Sequence, residues 1–251
     1  MNYIRLISLF WIISFSAFGQ NGNEKNIFHY HNEFITHVSA DVVGAEIFAS
    51  NSGTGAGTTT SQVTSDRSTI GAALMTTGTT TTGRAYIGTN NAVMTFSGGY
   101  WVFECRIDSI ANLSALAQRY TLAIGFIDAV TVNMTDAVYF LYDEGGVTTG
   151  SAASANWQCV GAEGGTREFT TTSTAVGVSG QVLRIEIAAD GSEAIYYVDG
   201  VEVDRNSTYI PDNPLTESTG FGILLVKSAG TTARTVAIDW LTVDAIWNIT
   251  R

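Results

Sequence analysis

Four carboxylates stand where paired acids could do chemistry. Glu104 and Asp108 are four residues apart, as are Glu186 and Asp190, so within each pair the side chains can share a strand face. Hydrolysis of a glycosidic bond with retention needs two such groups about 5–5.5 Å apart. Arg106 falls between the first two, and Asp190 belongs to an Asp-Gly turn. Both pairs therefore read as sheet-face charges with cross-strand partners. His29-Tyr30-His31 sets two imidazoles on one strand face, a two-ligand metal fragment that would need His37 or Glu33 to complete it. On that ligand count they read as surface histidines. Cys105 and Cys159 are the two cysteines. In an oxidising compartment they can form a disulfide; as buried thiols they would act as small hydrophobes. Spacing alone leaves both readings open.

Aromatic residues carry the binding chemistry, because sugar C–H faces stack on rings while polar neighbours read hydroxyls. Trp101, Tyr139, Tyr142, Trp157 and Tyr197 are the candidates, with Asn156, Asp143 and Arg167 as polar partners. Alternation assigns Trp101 and Trp157 to the core. Tyr139, Tyr142 and Asn156 remain as the expected ligand-binding residues. Asp136, Asp143 and Glu144 form an acidic cluster that reads as a solvated loop.

These residues need strands to position them. From Val182 to Val203, Leu183, Ile185 and Ile187 alternate with Arg184 and Glu186, Asp190-Gly191 follows, then Ala194 to Val198, Asp199-Gly200 and Val201-Glu202-Val203. Period-2 runs separated by Asp-Gly predict a three-strand antiparallel meander. Tyr100 to Asp108 is a strand with Trp101, Phe103, Cys105 and Ile107 on one face. Val138 to Tyr142 is apolar on both faces, which places it centrally. Further strands are expected at Thr121 to Ile127, Trp157 to Val160, Arg167 to Thr171, Phe221 to Lys227 and Thr235 to Ile246. The Thr/Gly/Ser-rich stretch Ser50 to Gly88 reads as outer strands and loops. Leu113 to Arg119 is the one expected helical turn. The fold class is all-β, a two-sheet antiparallel β-sandwich or jelly roll.

Only 14% of the 251 residues are charged, and the net charge is −11. Such an acidic surface argues against nucleic acid as a partner, since phosphate binding needs basic patches. Arg5 followed by the apolar run Leu6 to Phe15 and the small-residue end at Gly19 has the pattern of a secretory leader. The run is short for a membrane span. The expected organisation is a leader over 1–19, a disordered lead over 20–27 and one domain over 28–251, secreted, with no membrane contact after cleavage. Loss of Arg5 takes the charge from −11 to −12.

The string Leu183-Arg184-Ile185-Glu186-Ile187, Asp190-Gly191, Ile195-Tyr196-Tyr197-Val198-Asp199-Gly200 resembles the hairpin of concanavalin A-like, laminin-G-like jelly rolls. Val236 to Val243 is similar to the last strand of that superfamily, where an acid often sits at a structural Ca²⁺ site. The resemblance thus implies Asp239 as a Ca²⁺ ligand, with oxygens near Asn32 or Glu33. The Gly/Thr-rich first third and Tyr100-Trp101-Val102-Phe103-Glu104 resemble domains of bacteriophage structural proteins. That alternative implies a virion surface. The glycosidases of the superfamily resemble Glu-x-Asp-x-x-Glu on a strand, and its lyases use Gln-x-His; the chain has neither. The resemblance thus implies a non-catalytic module that binds glycan or a surface protein. The alternatives are a divergent polysaccharide-active enzyme and a self-assembling structural subunit, a homo-oligomer without a small ligand.

Overall fold

The computed structural model describes residues 25–32, 48–52, 59–62, 72–89, 94–115, 117–129, 131–148, 150–213 and 215–248. Among them the first strands are β1 (Lys25–Asn32), β2 (Phe48–Ser52), β3 (Thr59–Gln62), β4 (Ala72–Thr76), β5 (Gly83–Gly88), β6 (Gly99–Ile110), β7 (Tyr120–Phe126) and β8 (Ala137–Asp143). They continue as β9 (Ser154–Glu163), β10 (Thr166–Ala175), β11 (Val182–Ile187), β12 (Ala194–Val198), β13 (Val201–Asn206), β14 (Gly222–Lys227) and β15 (Thr235–Asn248).

The strands form two antiparallel sheets. One runs β13-β12-β11-β6-β15-β4-β3 with β1 also on β15; the other runs β10-β9-β8-β7-β14-β5-β2. The chain is thus a β-sandwich of the jelly-roll kind. β15 is long enough to serve two partners along one edge. Thr235 to Ile238 pair with β4, and Leu241 to Asn248 pair with β1. β1 starts at Lys25, inside the expected lead, because its backbone pairs with the end of β15.

The expected antiparallel meander is β11-β12-β13, with a register shift between Tyr196 and Tyr197 where β12 meets β13. Asp199 and Gly200 both take positive φ, 52° and 76°. That is the geometry of a two-residue turn whose twist matches the flanking strands. The sandwich interior is filled from both sheets. Phe103, Cys105, Leu183, Ile185 and Tyr196 come from the eight-stranded sheet, and Leu122, Phe126, Phe140, Tyr142, Trp157 and Cys159 from the seven-stranded one. Edge-on ring pairs such as Phe96–Phe126 at 5.0 Å and Phe140–Tyr196 at 5.3 Å lock it. Trp101 and Trp157 are core residues, 3% and 0% exposed.

Three expectations are corrected. Leu113 to Arg119 contains no helix among its described residues; Ala115 and Gln118 instead close a turn through a bridge. Asp143 is fully buried and Asp136 nearly so, where a solvated cluster was expected. Cys105 and Cys159 are free buried thiols. Cys105 belongs to β6 and Cys159 to β9, in different sheets. Burial pushes both thiols far above their ordinary pKa, so they act as small hydrophobes.

Candidate functional site

Strand β8 presents two sets of side chains. Val138, Phe140 and Tyr142 enter the core, and by alternation Ala137, Tyr139, Leu141 and Asp143 face away from the second sheet. The neighbouring strands add Gln158, Val160 and Ala162 from β9, Thr121 and Ala123 from β7, Leu224 and Val226 from β14 and Tyr86 from β5. Half-buried Phe169 of β10 pairs with Val160. The result is a second apolar layer on the outer face of the seven-stranded sheet.

A row of paired glycines crosses this face. Tyr139 pairs with Gly125, Gly125 with Gly222, and Gly222 with Gly88. The Tyr86 ring lies over the last two. A Cβ on Gly88 would meet the Tyr86 hydroxyl at 2.3 Å, and one on Gly222 would meet its Cε2 at 2.8 Å. The Tyr86 hydroxyl donates to the Thr89 carbonyl at 2.9 Å.

The loop after β7 closes one end. Asp128 Oδ2 accepts from the Thr135 and Asp136 amides, both at 3.0 Å, which pins the loop on itself. Met134 packs into the apolar layer. Arg167 donates from Nε to the Met134 carbonyl and from Nη1 to Asn133 Oδ1, both at 3.0 Å. The loop after β8 closes the other end. Asp143 Oδ1 accepts from the Val147 amide at 3.1 Å, and Oδ2 from the Thr148 amide at 2.7 Å and the Ser151 hydroxyl at 3.0 Å. Gly150 fits there because a Cβ would already meet the Phe169 ring at 3.1 Å.

On this face and its two flanking loops, five buried polar atoms find no hydrogen-bond partner: the Tyr139 hydroxyl, Asp128 Oδ1, Gln158 Oε1, Thr121 Oγ1 and Thr148 Oγ1. Each buried atom left unpaired costs about 1–3 kcal/mol. Burial holds the Asp128 carboxyl above the usual carboxylate range, against the two amide bonds that lower it and the nearby Asp136 charge that adds to the rise. Burial also drives the Tyr139 phenol well up, opposed by nearby Arg167 and reinforced by Asp128 and Asp143. Tyr139 therefore stays a neutral donor and acceptor.

The three expected ligand residues separate. Tyr139 and Asn156 reach this face from adjacent strands, whereas Tyr142 points into the sandwich. The Tyr142 hydroxyl accepts from the Ser114 amide at 2.9 Å and donates to Glu144 Oε2 at 3.0 Å. Asn156 Nδ2 donates to the Thr172 carbonyl at 2.8 Å. Gln158 and Asp128 escaped the sequence reading. Gln158 carried a signal, a lone amide between Trp157 and Cys159 in an apolar run.

Asp239, the expected Ca²⁺ ligand, is ion-paired. It is the bulged residue between Ile238 and Trp240, and Arg106 Nη1 donates to its Oδ2 at 2.6 Å. The guanidinium engages Oδ2 alone; Glu33 lies outside the described residues. The strand acids are paired as expected: Arg184 bridges Glu104 at 3.2 Å and Glu186 at 2.6 Å. His29 pairs with Asp244, and His31 Nδ1 lies 2.7 Å from Thr242 Oγ1, on the outer face of the other sheet. Glu163, Asp212 and Glu217, which the sequence reading passed over, bring carboxylate oxygens within 4.8 Å of one another.

The fold is shared with proteins of known structure. A protein of unknown function, SO2946 from Shewanella oneidensis MR-1, superposes with a TM-score of 0.62 at 15% identity, over 94% of this chain and 93% of that one. The Emp47p carbohydrate recognition domain gives 0.53 at 9% identity, over 87% and 95%. Peanut lectin gives 0.53 at 9% identity, over 90% and 100%. At these identities the likeness is one of fold, the concanavalin A-like jelly roll. No curated protein sequence matches the chain. The model of the SO2946-like C-terminal domain matches residues 68–239, and the chain belongs to that family.

Proposed function

We propose that this chain is a non-catalytic glycan-binding module whose ligand face is the outer face of the seven-stranded sheet. The observation that carries the reading is the set of unpaired polar atoms buried there. A surface that hides hydroxyl, amide and carboxylate oxygens without partners is at a free-energy disadvantage until something polar fills it. Half-buried Phe169 and the Tyr86 ring add apolar area beside them. Small-ligand sites combine apolar walls with a few convergent polar groups in this way. The lectin and carbohydrate-recognition folds of the structural neighbours are consistent with the same use.

The absence of catalysis rests on the acids. Glu104 and Glu186 share Arg184 and lie on the other sheet. The leader pattern of residues 1–19 supports a mature chain that works outside the cell. A glycan array probed with residues 20–251, followed by hydrogen exchange on any hit, tests the reading. Saturable binding with protection on β8, β9 and the two flanking loops is expected, with no new reducing ends. A folded chain that binds no glycan, or protection confined to the eight-stranded sheet, would sink it.

A further inference from the structure

The five unpaired atoms differ in what they demand. Asp128 Oδ1 and Gln158 Oε1 only accept. The Gln158 amide is oriented by its own Nε2, which donates to the Ala152 carbonyl at 3.1 Å. Asp128 is fixed by the two backbone amides on Oδ2. Tyr139, Thr121 and Thr148 hydroxyls both donate and accept. Any occupant must therefore bring hydrogens to at least two positions and exchange both ways at the others. Water does this, and so do sugar hydroxyls. A carboxylate or sulfate brings only lone pairs.

Charge points the same way. Two carboxylates, Asp128 and Asp143, bear on Tyr139 against one guanidinium, Arg167, whose Nε and Nη1 bond the neutral Met134 carbonyl and Asn133 Oδ1. The whole chain carries −11. An anionic group here would lie near fixed negative charge in a site of low dielectric. β8 lies between β9 and β7 in the sheet. Tyr139 thus sits between the strand that carries Gln158 and the strand that leads to Asp128.

We infer that the face selects neutral sugars, with ligand hydroxyls donating to Asp128 Oδ1 and Gln158 Oε1 and meeting the Tyr139 hydroxyl, and that it rejects acidic glycans. The inference rests on the glycan-binding reading. Its weight lies on the pairing of two acceptor-only atoms with a phenol that makes no bond to either.

The test is calorimetric titration of the folded chain with neutral gluco-, manno- and galacto-oligosaccharides and with uronate oligosaccharides of equal length. Neutral sugars should bind at least ten-fold more tightly. Tyr139→Phe and Asp128→Asn should each lose ten-fold or more for the neutral ligand. In Asp128→Asn the retained oxygen still takes the Thr135 and Asp136 amides, while the amide nitrogen turns the acceptor into a donor. Tyr139→Phe removes an atom with no partner in the fold, so its Tm should not fall. Uronates binding as tightly as neutral sugars would overturn the selectivity and leave glycan binding standing. Wild-type affinity in both variants would overturn the assigned atoms. Failure of every oligosaccharide to bind would remove the glycan reading itself.

Discussion

Tyr139 and Tyr142 leave the same strand on opposite faces, and their hydroxyls have opposite fates. The Tyr142 hydroxyl is bonded to the Ser114 amide and to Glu144, inside the sandwich. The Tyr139 hydroxyl is buried on the outer face with no partner. An odd separation in a period-2 strand forces this split. Phenylalanine at each position therefore separates structure from recognition. Tyr142→Phe strands a buried amide and should cost about 1–3 kcal/mol in urea unfolding. Tyr139→Phe should leave the midpoint unchanged or raised, and a drop as large as that of Tyr142→Phe would show that its hydroxyl is bonded within the fold.

Asp143 organises the loop after β8. Its two oxygens take three donors from Val147, Thr148 and Ser151. Hydrogen bonds to a charged group contribute about 1.5–3 kcal/mol each, and removing this carboxylate leaves donors unpaired. Asp143→Ala should destabilise the domain by about 3 kcal/mol and speed hydrogen exchange at Val147 and Thr148. Equal exchange in the two proteins would show that the loop is held by other contacts.

The two thiols give a redox prediction. Cys105 and Cys159 are free, buried and in separate sheets. The folded chain should resist a thiol reagent and yield two equivalents only after denaturation. Its Tm should be the same with and without reductant. A Tm that falls under reduction would mean that the two thiols are joined.

Glu163 gives a pH prediction with a definite sign. Burial first, then the charges of Glu217, Asp212 and Asp136, hold its carboxyl above the ordinary value of 4.5. A carboxyl with a raised folded pKa binds its proton more tightly in the folded state. It therefore detracts from stability above that pKa, and the deficit fades as pH falls to the ordinary value. Glu163→Gln should raise Tm at neutral pH, with the gain shrinking as pH approaches 4.5. A gain that is constant across that range would point to packing instead of charge.

Asp190 was legible from sequence as a turn residue, and the structure gives it that role. Its Oδ1 accepts from the Ser192 amide at 3.1 Å and the Ser192 hydroxyl at 2.6 Å. Those two bonds hold its carboxyl below the usual range. A depressed carboxyl stabilises above its unfolded pKa, and the benefit is lost as pH falls through the folded value. Asp190→Ala should lower Tm at neutral pH, lose that difference in acid, and leave ligand affinity untouched. A binding defect at unchanged Tm would place Asp190 at the ligand.

The sequence by itself determined what is local. Period-2 alternation and Asp-Gly turns specified β11, β12 and β13, the all-β class, and the burial of Trp101 and Trp157, because side-chain direction along a strand and turn geometry depend on residues a few positions apart. Tertiary structure decided which distant residues became neighbours. Arg106 meets Asp239 across 133 positions because β6 and β15 pair side by side, an ion pair that no short-range pattern showed. Two loops folding back over the seven-stranded sheet set Asp128 close to Tyr139 and left polar atoms of both unpaired. Strand pairing and loop closure are global choices of the chain, made by burying both faces of β8 at once, and no short-range pattern encodes them.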